Sequence, residues 1–390
     1  MKRWRALLMT LLVLVSAAVF FYFEGATLKE LYVEYFVLSD EVQPEQMVQH
    51  QEKYYYSHLN ETQQEAYTLI YQQLFDFPEK IKVPVLQEDE FQSVHEALVY
   101  DNPDLFFLSA SCSMVFKAAY CLYRPTYVCT AEEYQKMRSQ VESTRDEIYA
   151  LFADGSNEYS REKVIHDQLI SRCAYKESKW DSGIYGALVE GNAVCSGYAR
   201  AAQYLLSGAG ISNYLVTGTS ESGGKTENHM WNTVFIGGKP YYLDVTWDDG
   251  DYEGGLAGYA YFNVTEEQLK PTHRPENPTE NGCVYTDANY FVRENLYFTG
   301  VDEAFYAALT ERLSERLQAG GKVFEIAFSS QDVYQTALDS LIEDQRIYGI
   351  LRAASRQAGI TMDTNYINYF LNDTRWILHL DLAENLQTGS

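Results

Sequence analysis

Two patterns of hydrophobic residues meet in the middle of the chain. After Cys195, apolar residues recur at helical spacing until two glycines end the pattern; these residues are Tyr198, Ala201, Ala202, Leu205 and Leu206. From His229 to Ile236 the side chains alternate as in a β-strand, and Gly237-Gly238 separates this run from a second one over Lys239 to Thr246. The pattern predicts a helix that begins at Cys195, followed by a β-hairpin.

A two-residue turn at Gly237-Gly238 determines which side chains share a face of the hairpin. With that turn, His229 lies opposite Thr246, and His229 and Asp244 become diagonal neighbours on one face. Diagonal residues are about 7–8 Å apart at Cα, a distance that side chains can bridge. Pro240 fits this register, because it falls at a non-hydrogen-bonded pair where no ladder donor is needed. A three-residue loop would move Asp244 to the opposite face.

The three polar residues of this stretch suit nucleophilic catalysis. A cysteine at a helix N-terminus lies beside unpaired backbone N–H groups and the positive end of the helix dipole, which stabilise a thiolate. Gly197 in the first turn would let another backbone segment or a substrate come close. We therefore predict Cys195 as nucleophile, His229 as base and Asp244 as the residue that orients the imidazole. Aromatic residues are expected to line the cleft rather than react: Tyr198, Trp231 and Trp247.

These segments resemble the transglutaminase-like superfamily, which has a papain-like fold. The matching motifs are "VCSGYA" with Cys195, "HMWN" with His229, "YYLDVTWDD" with Asp244 and the preceding segment "IHDQLISRCAY". The resemblance covers about residues 155–300. It implies an α+β core whose nucleophile helix packs on an antiparallel sheet, and a Cys-His-Asp enzyme that acts on peptide amide bonds. Family members carry a polar side chain upstream of the cysteine that supports the oxyanion, and Tyr185 is the candidate for that position.

Metal and cofactor sites are not predicted. The acidic loop "DDGDYEGG" (residues 248–255) lacks the spacing of a calcium-binding loop, and no C-x-x-C pair points to zinc. His166 and Asp167 are adjacent on a predicted helix and should face different directions, so we expect structural roles for both. With Cys195 kept as nucleophile, five of the six cysteines remain, so at most two disulfides can form and their connectivity stays open.

The amino-acid composition limits the classes of molecule that the protein is expected to bind. The net charge of -25 and the pI near 4.6 argue against nucleic acid and anionic lipid surfaces. The chain has 33 tyrosines, which favour either core packing or a surface that grips peptide or glycan chains, and core packing is the simpler interpretation. The expected partner is a protein or peptide substrate, with cell-wall peptide as one candidate.

The N-terminus predicts a membrane anchor. Lys2, Arg3 and Arg5 precede eighteen uncharged residues, Ala6 to Phe23, which as a helix would span roughly 27 Å of hydrocarbon. The basic residues on the N-terminal side predict a single-pass membrane protein whose remainder lies outside the cytoplasm. Cleavage near Ala17 would instead give a secreted protein, but the apolar run continues past that site.

Four regions follow from these patterns. They are a transmembrane helix (residues 1–23), a stalk with an α+β accessory domain (24–154), the transglutaminase-like domain (155–300) and a C-terminal α+β accessory domain (301–390). The segment "DNPDLFFL" in the second region resembles one found in extracytoplasmic proteins that carry this catalytic module. Two functions remain open: a cysteine peptidase or amidase, with cross-linking as its variant, and a non-catalytic surface scaffold that keeps the fold.

Overall fold

The structure is a computed structural model that describes Met47, residues 50–250 and 257–277, Thr279, and residues 282–388. The predicted transmembrane helix, residues 1–23, and most of the acidic loop lie outside these described residues. Within the described part of the chain, no helix combines the length and the apolar character needed to cross a bilayer. The chain divides between Tyr134 and Gln135 into two compact units. The domain boundaries drawn from the sequence stay predictions.

The N-terminal unit combines helices with a small antiparallel sheet. Its elements are α1 (Tyr54–Ser57), α2 (Glu61–Leu74), β1 (Ile81–Val83), α3 (Glu88–Asp101), β2 (Ser113–Phe116), β3 (Cys121–Arg124) and the start of α4 (Ala131–Tyr149). The strand order is β1-β3-β2. Asn60 and Gln63 form a capping box at the start of α2, as expected of a helix beginning there.

The second unit contains the predicted site. Its first part comprises α5 (Glu158–Arg172), β4 (Ala174–Tyr175), β5 (Asn192–Ala193), α6 (Cys195–Gly208), β6 (Asn213–Ser222), β7 (Lys225–Ile236), β8 (Lys239–Leu243), α7 (Val245–Asp248), α8 (Glu266–Leu269), β9 (His273–Pro275) and α9 (Tyr290–Arg293). Strands β8-β7-β6-β9 form an antiparallel sheet in that order. Helix α6 packs against β6 and β7. The predicted α+β class and the helix start at Cys195 are confirmed.

The C-terminal part of this unit forms a second sheet. Its elements are β10 (Tyr297–Phe298), α10 (Glu303–Gln318), β11 (Val323–Phe328), α11 (Gln331–Leu338), α12 (Arg346–Ala358), β12 (Asn368–Asn372) and β13 (Ile377–Asp381). The strand order is β10-β11-β13-β12, with β10 and β11 parallel and the other pairs antiparallel. The Asp302 side chain caps α10 by accepting a hydrogen bond from the backbone nitrogen of Phe305.

The hairpin has the predicted turn and register. Gly237 and Gly238 have φ of 60° and 75°, values that suit the two central positions of a type I′ turn. Ile236 pairs with Lys239, and the ladder continues to the pair Asn232 and Leu243. The strand then stops three residues earlier than predicted, so the expected pairing of His229 with Thr246 is wrong. Beyond the hairpin, Tyr242 of β8 forms a single antiparallel bridge to Val264.

Local capping explains the early end of β8. The Asp244 side chain accepts hydrogen bonds from the backbone N–H groups of Thr246 and Trp247, and it thereby begins the short helix α7. Aspartate competes well for such N-terminal positions, because its carboxylate satisfies backbone donors that a helix start leaves unpaired. Asp244 therefore reaches the site from the N-cap of a helix rather than from a strand.

Two contacts hold helix α6 in place. A Cβ on Gly197 would lie 2.1 Å from the backbone oxygen of Asp181, so glycine there permits the close backbone approach that the sequence predicts. Asn232 of β7 donates from Nδ2 to the backbone oxygen of Ala199 in α6 at 3.0 Å. Helix and hairpin are thus joined directly beside the site.

A buried carboxyl in α5 gives a test of stability against pH. Glu162 is fully buried; burial, partly offset by the hydrogen bond from Asn263, raises its pKa from 4.5 to about 8. Because the folded state then binds more protons than the unfolded chain, the wild type should lose stability as the pH rises from about 4.5 to about 8. We expect Glu162→Gln to remove this loss, on the order of a few kcal/mol.

Thermal unfolding of the wild type and Glu162→Gln across the pH range measures this effect. The two proteins should melt at similar temperatures near pH 5, and the variant should melt several degrees higher near pH 9. Parallel curves at every pH would mean that Glu162 titrates normally in the folded protein.

Candidate active site

Cys195, His229 and Asp244 come together in the second unit. His229 Nε2 lies 2.6 Å from Asp244 Oδ2, and the His229 side chain also forms a hydrogen bond with the Cys195 side chain. Since Nε2 is engaged by the carboxylate, Nδ1 is the ring nitrogen left to bond the thiol. Cys195 is partly accessible, whereas His229 and Asp244 are buried. A thiol open to solvent therefore lies beside a shielded imidazole and carboxylate.

The carboxylate is fixed by its own helix cap. Asp244 Oδ1 lies 3.0 Å from the backbone nitrogen of Thr246 and 3.2 Å from that of Trp247. The other oxygen, Oδ2, is thereby turned toward His229. The rotamer of Asp244 is thus set before any substrate binds.

Electrostatics favour a charged imidazole beside an ionised carboxylate. Burial by itself lowers the pKa of His229, but the charge and hydrogen bond of Asp244, with a contribution from Cys195, keep it well above its ordinary value. Burial by itself raises the pKa of Asp244, but the hydrogen bonds and charges of His229 and His273 keep it well below its usual range. An imidazolium in this position stabilises a neighbouring thiolate by charge.

The aromatic residues predicted for the cleft differ in their accessibility. Trp231 stacks on the His229 ring with centroids 5.7 Å apart and is 1% exposed. Tyr198 is 0% exposed, and its hydroxyl donates to the Asp249 carboxylate, which joins α6 to the residue after α7. Trp247 is half-buried, with its ring 6.2 Å from that of His229. Of these three rings, only that of Trp247 is accessible enough to meet a substrate.

The structure gives Tyr185 a partner in α4. Its hydroxyl donates to Gln140 Oε1 at 3.3 Å, and its ring lies 6.0 Å from that of Trp180. The role predicted for it at the oxyanion stays a prediction.

The histidine and aspartate of α5 contact each other, so the prediction that they face different directions is wrong. His166 Nδ1 lies 3.1 Å from Asp167 Oδ1, and its Nε2 lies 3.1 Å from Asp248 Oδ2. Asp167 also binds Lys163 and the Tyr259 hydroxyl, at 2.7 and 2.8 Å. This network connects α5 to α7, which agrees with the structural role expected of both residues.

One residue of the site has no signal in the sequence. His273 lies in a stretch that the sequence marks only as a proline-bearing loop, yet its Nε2 is 3.0 Å from Asp244 Oδ2. It belongs to β9, a strand of three residues, too short to produce a recognisable alternation. Only the pairing of β9 with β6 brings it to the carboxylate.

His229, Asp244 and His273 also have the composition of a metal-binding group. Their ligand atoms lie within 4.8 Å of one another. A metal ion there would have to displace both imidazole–carboxylate hydrogen bonds, which measure 2.6 and 3.0 Å. We therefore describe the group as hydrogen-bonded.

The cysteines do not pair with one another. None of the six, which all lie within the described residues, forms a disulfide. The Cys195 thiol is thus not consumed by a disulfide, and the described parts of both units are built without cross-links.

In a comparison with known protein families, one family matches the region of the chain that contains the site. Residues 148–247 match the family model of the transglutaminase-like superfamily, a range that includes Cys195, His229 and Asp244. No curated protein matches the chain significantly.

Several solved structures are similar to parts of the chain. One is a TGase (14% identity, TM-score 0.26, covering 43% of this chain and 50% of that one). A second is a candidate cysteine protease from Cytophaga hutchinsonii (13% identity, TM-score 0.25, 35% and 61%). A third is a candidate protease from Parabacteroides distasonis (14% identity, TM-score 0.22, 35% and 30%). The chain thus spans less than two thirds of each, and TM-scores this low say nothing about activity or substrate.

Proposed function

We propose that the protein is a cysteine enzyme that acts on peptide amide bonds through a thioester intermediate. The observation that supports this most directly is the position of His229, which bonds to Cys195 on one side and to Asp244 on the other. Nucleophile, base and orienting carboxylate are the parts that acyl transfer requires. The match of residues 148–247 to the transglutaminase-like superfamily is consistent with the same chemistry.

The reaction would proceed in two halves. The Cys195 thiolate attacks the carbonyl carbon of the amide, and the oxyanion forms near the unpaired backbone N–H groups at the start of α6. His229 gives its Nδ1 proton to the leaving amine as the C–N bond breaks, which leaves a thioester. Water then passes a proton to His229 and attacks the thioester carbon, so the C–S bond breaks and the thiolate returns.

Hydrolysis is the favoured outcome, because water is the default second nucleophile. A lysine amine in place of water would turn the same intermediate into a cross-link. The alternative function is a non-catalytic scaffold that keeps the fold for binding, and the flanking regions without evident chemistry are what favour it.

We further propose that residues 1–23 anchor the protein in a membrane with the enzyme outside the cytoplasm. The support is the charge asymmetry around the uncharged run from Ala6 to Phe23. External protease added to intact cells should then remove the chain after about Glu24. Full protection of the chain would overturn this orientation.

Alkylation of Cys195 with iodoacetamide across pH tests the catalytic proposal. An activated thiol should react readily at neutral pH, because the His229 imidazolium stabilises the reacting sulfur by its charge. His229→Ala should remove the imidazolium and slow the reaction. A wild-type rate no faster than that of His229→Ala would favour the scaffold instead.

A further inference from the structure

A second histidine binds the carboxylate that His229 uses. His273 is 1% exposed, and its Nε2 lies 3.0 Å from Asp244 Oδ2, the same oxygen that lies 2.6 Å from His229 Nε2. The two imidazole rings are 5.2 Å apart and inclined at 60°. With the two backbone N–H groups on Oδ1, every hydrogen-bonding direction of this buried carboxylate is occupied.

The sheet places both histidines on one face. Strand β6 lies between β7 and β9; its Gly218 pairs with His229, and its Ser220 pairs with His273. Residues two apart on a strand point to the same side, so the two imidazoles extend in the same direction. Their meeting at Asp244 is therefore a consequence of strand register.

Gly218 leaves the room that this arrangement needs. A Cβ at Gly218 would lie 2.8 Å from Cη2 of Trp231 and 2.2 Å from the backbone oxygen of Arg274. A side chain there would push β9, and with it His273, away from the carboxylate.

His273 can donate to Asp244 while it remains neutral. Burial lowers the pKa of His273, Asp244 offsets this only in part, and the charges of His229 and Arg375 lower it further. Its Nδ1 lies 2.8 Å from Thr272 Oγ1, whose single hydroxyl hydrogen can point to the ring or to the backbone oxygen of Leu269, 3.2 Å away. With that hydrogen on the shorter bond to the ring, a neutral imidazole protonated on Nε2 donates to Asp244 and accepts from Thr272.

Hydrogen bonds from a residue far along the chain hold the segment before His273 in place. Arg375, in the turn between β12 and β13, donates from Nε and Nη2 to the backbone oxygen of Ala260 at 3.2 and 3.1 Å. Its Nη1 also donates to the backbone oxygen of Gln268. The C-terminal sheet thus helps to fix the loop that leads into β9.

We propose that His273 is a positioning residue of the site, which fixes Asp244 Oδ2 by donating a second hydrogen bond to it. This inference rests on the proposed function. Without His273, Oδ2 would keep a single donor, and the carboxylate could rotate about its Oδ1 bonds. The imidazole of His229 would then lose its fixed orientation toward Cys195, and the thiol would become less reactive.

Two variants of the full chain separate this role from simple packing. His273→Gln can place an amide N–H near the position of the imidazole Nε2–H, whereas His273→Leu keeps a similar volume without a donor. We expect iodoacetamide to alkylate Cys195 about 10- to 100-fold more slowly in His273→Leu, the range for one hydrogen bond to a charged group. His273→Gln should stay within about threefold of the wild type, because the donor is restored.

A spectroscopic readout needs no catalysis. The proton between His229 Nε2 and Asp244 should give a low-field NMR resonance in the wild type and His273→Gln, and this resonance should shift or broaden in His273→Leu. His95→Leu is the matched control: His95 is also buried, with bonds to the Tyr123 hydroxyl and the backbone oxygen of Ala110, but it lies in the N-terminal unit. It should leave both readouts unchanged.

If His273→Gln and His273→Leu lost the alkylation rate and the NMR resonance equally, His273 would be a packing residue. If both readouts were unchanged in His273→Leu, Asp244 would need no second donor. Should His273→Leu fail to fold, His273→Asn replaces it. The shorter asparagine amide does not reach Oδ2, so this variant must show the same loss of alkylation rate. A wild-type Cys195 with ordinary reactivity would defeat the proposed function, while the NMR resonance would still decide the role of His273.

Discussion

Cys195→Ala should abolish turnover and leave the fold intact. The sulfur is the only group of this side chain that can attack a carbonyl, so its loss removes the nucleophile and not merely its activation. Cys195 is partly exposed at the first position of α6, where alanine is a good helix former and leaves little cavity. The measurements are release of new amino termini from denatured protein, release of ammonia from glutamine peptides, and thermal unfolding.

Cys283→Ala is the matched control for this experiment. Cys283 is a free thiol of the same unit but is 0% exposed and lies outside the site. It should keep turnover and lose some stability, the opposite of the Cys195 result. A Cys195→Ala protein that melts early, or that retains activity, would show that the cysteine is structural or idle and would support the scaffold function.

Asp244→Asn should lower turnover by about ten-thousand-fold, the size of the corresponding change in a serine triad. An asparagine can still accept from the Thr246 and Trp247 N–H groups through its oxygen, which leaves its NH₂ group facing both histidines. His229 Nε2 must then accept a hydrogen bond rather than donate one. The imidazole proton moves to Nδ1, beside Cys195, where the ring can no longer take the thiol proton.

Asp101→Asn provides the control for the same chemical change elsewhere. Asp101 is buried in the N-terminal unit and accepts from the backbone nitrogens of Tyr55 and Tyr56 at 3.1 and 2.8 Å. It should affect stability but not turnover. If Asp244→Asn were as active as Asp101→Asn, the carboxylate would not orient the imidazole, and the triad would have to be abandoned.

The positions of the catalytic candidates follow largely from local sequence. The apolar spacing after Cys195 predicts a helix, and Gly237-Gly238 predicts a tight turn and with it the register of β7 and β8. Both signals involve only a few neighbouring residues, so they can be recognised without knowledge of the rest of the chain. The end of β8 was mispredicted for a similar reason, since strand alternation gave no warning that Asp244 caps a helix.

The α+β class, the helix that carries Cys195 and the hairpin that carries His229 can be predicted from the order of residues alone. Two contacts depend instead on the fold as a whole: His273 shares the carboxylate of Asp244, 29 residues away in the chain, and Arg375 binds the backbone oxygen of Ala260, 115 residues away. Periodicity and turn chemistry report on neighbours along the chain. Contacts between distant segments depend instead on which strands pair and on which glycines, such as Gly218, let them approach, and no local pattern encodes that choice.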